Sequence, residues 1–197
     1  MKSEKSGNSK MLKTYNIETN HSLNPFINYY LFEKGTLMWY IKEKFPLYFY
    51  PLIPLKFLTL RSLIPIEIEI IENSFSSNSL KPIKYKITRN MLGIYKIKSN
   101  TPPQKEITIP YFLYMYIPKI KIQNNTYSIK REYFSIFPYQ AKYIFYKNQE
   151  PIAEILVIPK EGRTKVSTNI NVISTDEEDT ELSLIISLII TLGYNYR

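Results

Sequence analysis

Leu182 to Leu192 restricts the fold of this chain more than any other stretch. It is apolar around nearly its whole circumference, and the acidic run Asp176-Glu177-Glu178-Asp179-Thr180-Glu181 leads straight into it. A helix that is apolar on every side is either sheathed in protein or lies in a membrane. Thr175 and Glu178 have capping-box spacing, so Thr175 can accept from a free helix N–H while Glu178 reaches back. Carboxylates in the first turns also favour the positive end of the helix dipole. A helix is therefore predicted over about 176–196, with Leu182, Leu184, Ile185, Ile186, Leu188, Ile189, Ile190 and Leu192 as its core side chains. A bilayer-spanning helix needs about 20 apolar residues. This run has eleven, three of them hydroxylated (Ser183, Ser187 and Thr191). No Lys or Arg lies between Lys165 and Arg197, whereas cytoplasmic flanks of spanning helices are normally basic. The balance favours a helix buried in protein over a tail anchor. Its hydroxylated stripe is where a neighbouring backbone can come close.

The rest of the chain reads as β. A length of 197 residues suits one domain with a substantial core. Met1 to Asn24 is polar and aperiodic and reads as a mobile leader, which leaves 25–197 as the single domain. No apolar stretch behind Met1 to Lys10 marks a signal peptide. From Pro25 onwards, β-branched and aromatic runs are separated by Pro, Asn and Ser. Strands are predicted at Phe26 to Phe32, Leu37 to Ile41, Ile66 to Ile70, Ile83 to Thr88, Ile94 to Lys98 and Ile107 to Ile109. The series continues at Tyr111 to Ile117, Lys119 to Ile122, Thr126 to Arg131, Lys142 to Lys147, Ile152 to Ile158 and Val166 to Ile173. Phe45 to Ile64 is very apolar, but Pro46, Pro51 and Pro54 exclude a regular helix and confine any strand there to an edge or bulge. Ten to twelve strands and one terminal helix point to a barrel or a sandwich. Tyr85 to Ile94 and Tyr143 to Ile152 share a Tyr, a basic residue, an Asn and a closing Ile, and both read as hairpins with Asn in the turn.

The order of elements near the C-terminus carries a family resemblance. Lys142 to Ile155 forms a strand, polar turn and strand unit ending Ile152-Ala153-Glu154-Ile155. Another strand follows, and then the acidic-capped apolar helix. This order resembles the tubby C-terminal-like superfamily, which includes tubby proteins, phospholipid scramblases and LURP-one-related proteins. The resemblance implies a closed or nearly closed antiparallel barrel of about 12 strands around a central hydrophobic C-terminal helix. It also implies a function in binding or acting on phospholipid, although no motif of the family maps onto individual residues here.

Charge is the second informative feature. The net charge is +9, and Lys81 to Arg131 alone carries +10, with Glu106 its one carboxylate. Lys84 with Lys86, Lys96 with Lys98 and Lys119 with Lys121 share strand faces, and Lys130 and Arg131 add to them. Such a face suits an anionic partner, such as lipid headgroups or nucleic acid. The competing reading pairs the lysines with Glu67 and Glu69 across the sheet, or uses them to protect sheet edges. Catalytic groupings are missing. With no Cys and a single histidine, His21, thiol and Ser-His systems are unavailable, and no metal site or cofactor is expected. The expectation is a non-enzymatic, cytoplasmic binding module that associates peripherally with anionic membrane lipid. The alternative is a protein–protein interaction module using segment 45–64, and nucleic-acid binding is a remoter third.

Overall fold

The structure is a computed structural model that describes residues 13–20, 27–44, 65–73, 83–90, 93–100, 105–109, 119–134, 140–159 and 166–195. Among these described residues, twelve strands and one helix follow in chain order. They are β1 (Lys13–Asn20), β2 (Asn28–Glu33), β3 (Thr36–Lys44), β4 (Ile66–Glu72), β5 (Ile83–Arg89) and β6 (Tyr95–Ser99). Then come β7 (Glu106–Ile109), β8 (Ile120–Ile122), β9 (Asn125–Phe134), β10 (Ala141–Lys147), β11 (Glu150–Pro159), β12 (Val166–Val172) and α1 (Glu177–Asn195).

The strands form one antiparallel sheet in the order β7-β6-β5-β4-β3-β2-β1-β12-β11-β10-β9-β8. The sheet curls into a nearly closed barrel. Consecutive strands are neighbours except β7 and β8, and the pairing of β1 with β12, with Lys13 opposite Val172 and Glu18 opposite Ser167, joins the two halves of the sheet. β7 and β8 are the two ends of the sheet, so the barrel has a seam between them. Alternation sets the inner face. Ile66, Ile68 and Ile70 of β4 are buried. So are Ile155 and Val157 of β11, and Val166, Ile170 and Val172 of β12. The hairpin turns support the register. Lys34 and Gly35 have φ of 48° and 83°, and Asn148 and Gln149 have 49° and 74°. Positive φ at both central residues is the type I′ geometry whose twist matches that of paired strands.

α1 fills the barrel. From Leu182 to Leu192 every residue is buried, with exposures of 0 to 6%. Each Leu or Ile removed from water contributes about 1.5–3 kcal/mol, so an all-round apolar helix is the main filling that an otherwise hollow sheet requires. The hydroxylated stripe does not leave polar atoms unsatisfied. Ser183, Ser187 and Thr191 donate to the carbonyls of Asp179, Ser183 and Ser187 at 2.6, 2.7 and 2.7 Å. The helix packs closest on β12 and β11, and Thr191 Oγ1 lies 2.7 Å from Thr168 Oγ1 of β12. No helix among the described residues is long and apolar enough to cross a membrane.

Two sequence expectations are corrected. Lys13–Asn20, assigned to the mobile leader, is β1 and pairs on both sides. Its inner face is Tyr15, Ile17 and Thr19, all buried, a pattern too short and too polar to stand out from its surroundings. The helix cap is Asp176 rather than Thr175. The Asp176 carboxylate accepts the N–H of Glu178 at 3.0 Å, and its carbonyl accepts that of Thr180 at 3.0 Å. Thr175 is exposed, and Glu178 turns away to accept from Lys105. Both segments of the proposed repeat are hairpins, β5–β6 and β10–β11. The predicted strand Tyr111 to Ile117, the segment 45–64, His21 and the rest of the leader lie outside the described residues.

Candidate functional site

The basic residues singled out from the sequence divide into three groups. Members of the first are in ion pairs on the barrel exterior. Lys86 of β5 lies 2.7 Å from Glu67 of β4, and Lys98 of β6 lies 3.3 Å from Glu106 of β7. Lys44, not singled out, holds Glu69 at 2.6 Å. Glu67 and Glu69 therefore do pair across the sheet, but with Lys86 and Lys44 and not with Lys84. Exposed pairs of this kind contribute little, about 0–1 kcal/mol each. Their effect is to offset part of the charge on the β3–β7 exterior, where Lys86 lies directly opposite Lys98.

The second group is Lys96 of β6, Lys119 just before β8, Lys121 of β8 and Lys130 of β9. All four are exposed, and none has an ion pair among the described residues. They occupy strands on either side of the seam. Arg131 neighbours them on β9 and is half-buried, with interactions of its own.

Lys84 belongs to a third arrangement that the sequence did not reveal, a collar of charge around the helix entrance. Lys84 of β5 contacts Glu181 of α1 at 2.5 Å and Glu72 of β4 at 3.6 Å. Lys105, beside β7, reaches Glu178 at 2.6 Å. Lys147, at the end of β10, holds Asp179 at 2.9 Å and Asp176 at 3.4 Å. Two tyrosines complete the ring: Tyr85 donates to Glu181, and Tyr127 donates to Asp179 at 3.1 Å. The Asp179 side chain is only 4% exposed and also accepts from Ser174 at 3.1 Å, so this buried carboxylate is well satisfied. Removal from water pushes the Tyr127 hydroxyl up to about 12, helped by its bond to Asp179. Burial raises Tyr85 in the same way, with Glu181 adding to it. The bond to Asp179 outweighs desolvation and raises the Lys147 ammonium. For Lys84, burial acts to lower the ammonium, and Glu181 and Glu72 together reverse that into a net rise.

The collar partners lie far apart in sequence, and no local pattern links Lys105 or Lys147 to the helix. The available signal was physical: a carboxylate-rich helix start enclosed by strands needs cations at the rim. Comparisons with known protein families, curated proteins and solved structures find no match to this chain.

Proposed function

We propose that this protein is a non-enzymatic binding module that docks peripherally on an anionic surface, through the exterior beside its seam. One observation carries this reading. Lys96, Lys119, Lys121 and Lys130 stay exposed and unpaired among the described residues, while Glu67, Glu69, Glu72 and Glu106 are already matched to other lysines. Cations without an ion pair among the described residues, on β8 and β9 and across the seam on β6, cost self-repulsion, which an anionic partner relieves. Anionic lipid headgroups are the partner we favour. We further propose membership of the tubby C-terminal-like superfamily. What supports it is the twelve-strand meander wound round a hydrophobic C-terminal helix.

The test is vesicle co-sedimentation at 50 mM salt. Each lysine near an anionic leaflet contributes about 1 kcal/mol. Changing Lys96, Lys119, Lys121 and Lys130 together to Gln is therefore expected to weaken binding to phosphatidylserine-containing vesicles by about a thousandfold. Raising salt to 500 mM weakens the unaltered protein as well, by shortening the screening length. Equal binding to neutral and acidic vesicles, or an undiminished quadruple variant, refutes the proposal. A preference for duplex DNA or RNA over vesicles at matched salt would transfer the same face to nucleic acid.

A further inference from the structure

A cavity of about 250 Å3 opens where the barrel fails to close. Its walls come from both sides of the seam: Ile97 and Ile107 on β6 and β7, Ile122 on β8, and Leu182 and Ile185 on the helix behind them. At about 30 Å3 per water-sized group, it has room for roughly eight such groups. That is below the usual range for drug-sized ligands and suits a short aliphatic chain. The charge around the opening is not neutral. Glu177, Glu178, Glu181 and Lys105 line it. Glu178 is held by Lys105 and Glu181 by Lys84. Glu177 is exposed and has no basic partner among the described residues. An apolar slot whose mouth carries a carboxylate with no cation among the described residues fits a ligand that has an alkyl tail and a cationic head.

We propose that this cavity binds a small primary aliphatic amine. Its chain lies against Ile107, Ile122 and Leu182, and its ammonium group meets Glu177. The preference runs against the net charge of +9, which favours anions overall. Selectivity for the amine therefore has to come from the cavity itself.

The probe is octylamine, titrated calorimetrically into the full chain at 0.1 M salt and below its micellar concentration, with hexylamine and octanoate in parallel. Trp39 gives a second readout, because its ring lies 6.2 Å from that of Tyr85, which lines the cavity. The expected result is saturable binding of one octylamine per chain. Two fewer methylenes make hexylamine roughly tenfold weaker, and octanoate, whose carboxylate meets Glu177, is at least about twofold weaker than octylamine. Glu177→Gln lowers octylamine affinity about two- to fivefold, the range of an exposed ion pair. Ile107→Trp fills the slot and abolishes binding. Ile122→Trp serves as the independent filling variant, with circular dichroism confirming that each is folded. Octanoate binding as tightly as octylamine overturns the proposal. So does undiminished binding by a folded, filled variant, or the absence of saturable octylamine binding.

Discussion

Asn148 and Gln149 show how one turn can be well solved at one position and strained at the next. Both have positive φ, as the two-residue loop between β10 and β11 requires. Asn148 is suited to this: its side chain accepts the N–H of Thr126 at 2.9 Å and donates to Asn125 at 2.8 Å. Gln149 is exposed, and no side-chain bond among the described residues offsets its left-handed backbone. A Cβ in that region costs about 1–2 kcal/mol. Glycine removes the cost and returns about 0.5–1 kcal/mol of it as unfolded-state entropy. Gln149→Gly is therefore expected to stabilise the protein by about 0.5 kcal/mol. The β2–β3 turn has the opposite residue at the equivalent position. Gly35 has φ of 83°, and a methyl group added there would meet no heavy atom within 4 Å. Gly35→Ala therefore suffers from conformation alone, by about 1 kcal/mol. Urea unfolding followed through Trp39 should show midpoint shifts of opposite sign and unchanged slope. Shifts of the same sign would refute the turn geometry.

At the scale of elements, the start of α1 separates two hydroxyl and carboxylate roles that look alike in sequence. Asp176 caps the helix and Thr175 does not. Asp176→Ala should cost about 1 kcal/mol, while Thr175→Ala should stay within about 0.5 kcal/mol, as for an uninvolved surface site. Thermal unfolding of the two variants distinguishes them, and equal losses would restore the capping-box reading. The one-residue slip arose because Thr175-Asp176 offers two cap formers in a row. The collar was hidden for a different reason: its pairs join residues as distant as Lys84 and Glu181, which only the closed sheet brings together. The Glu67–Lys86 pair was legible because consecutive strands of a meander are neighbours. The collar has a measurable pH signature. Lys84, Lys147 and Tyr127 hold protons more tightly folded than unfolded, where lysine titrates near 10.4 and tyrosine near 10. Their stabilisation is complete below about pH 10 and is lost as pH rises through their raised folded values. The urea midpoint should be level from about pH 7 to 9.5 and fall between about pH 10 and 12. Tyr127→Phe should make that fall shallower. An unchanged slope would mean that other groups titrate there.

For the whole molecule, the helix announced the architecture, because a hydrophobic cylinder too short for a bilayer needs a sheath and strands supply it. What the sequence could not announce is how the two halves of the sheet join. β1 pairs with β12 across most of the chain, Lys13 opposite Val172, and only Tyr15, Ile17 and Thr19 mark its inner face. A contact of that sequence separation forms against a large loop-closure cost. That join is therefore the point where the sheet is most easily split into two halves. Ile17 is 1% exposed and sits between Thr168 of β12 and Leu31 of β2. Ile17→Asp places a carboxylate in that apolar layer, at a cost of about 3–5 kcal/mol. Detaching β1 bares the edges of β2 and β12 together, and exposed edges recruit other strands. The expected outcome is concentration-dependent association, seen by light scattering, with amide protection lost first in β1, β2 and β12. A polar change on the outer face of the same strand, Glu18→Gln, should leave the protein monodisperse. If Ile17→Asp instead behaves like Glu18→Gln, β1 is dispensable and its pairing with β12 is not what holds the two halves of the sheet together.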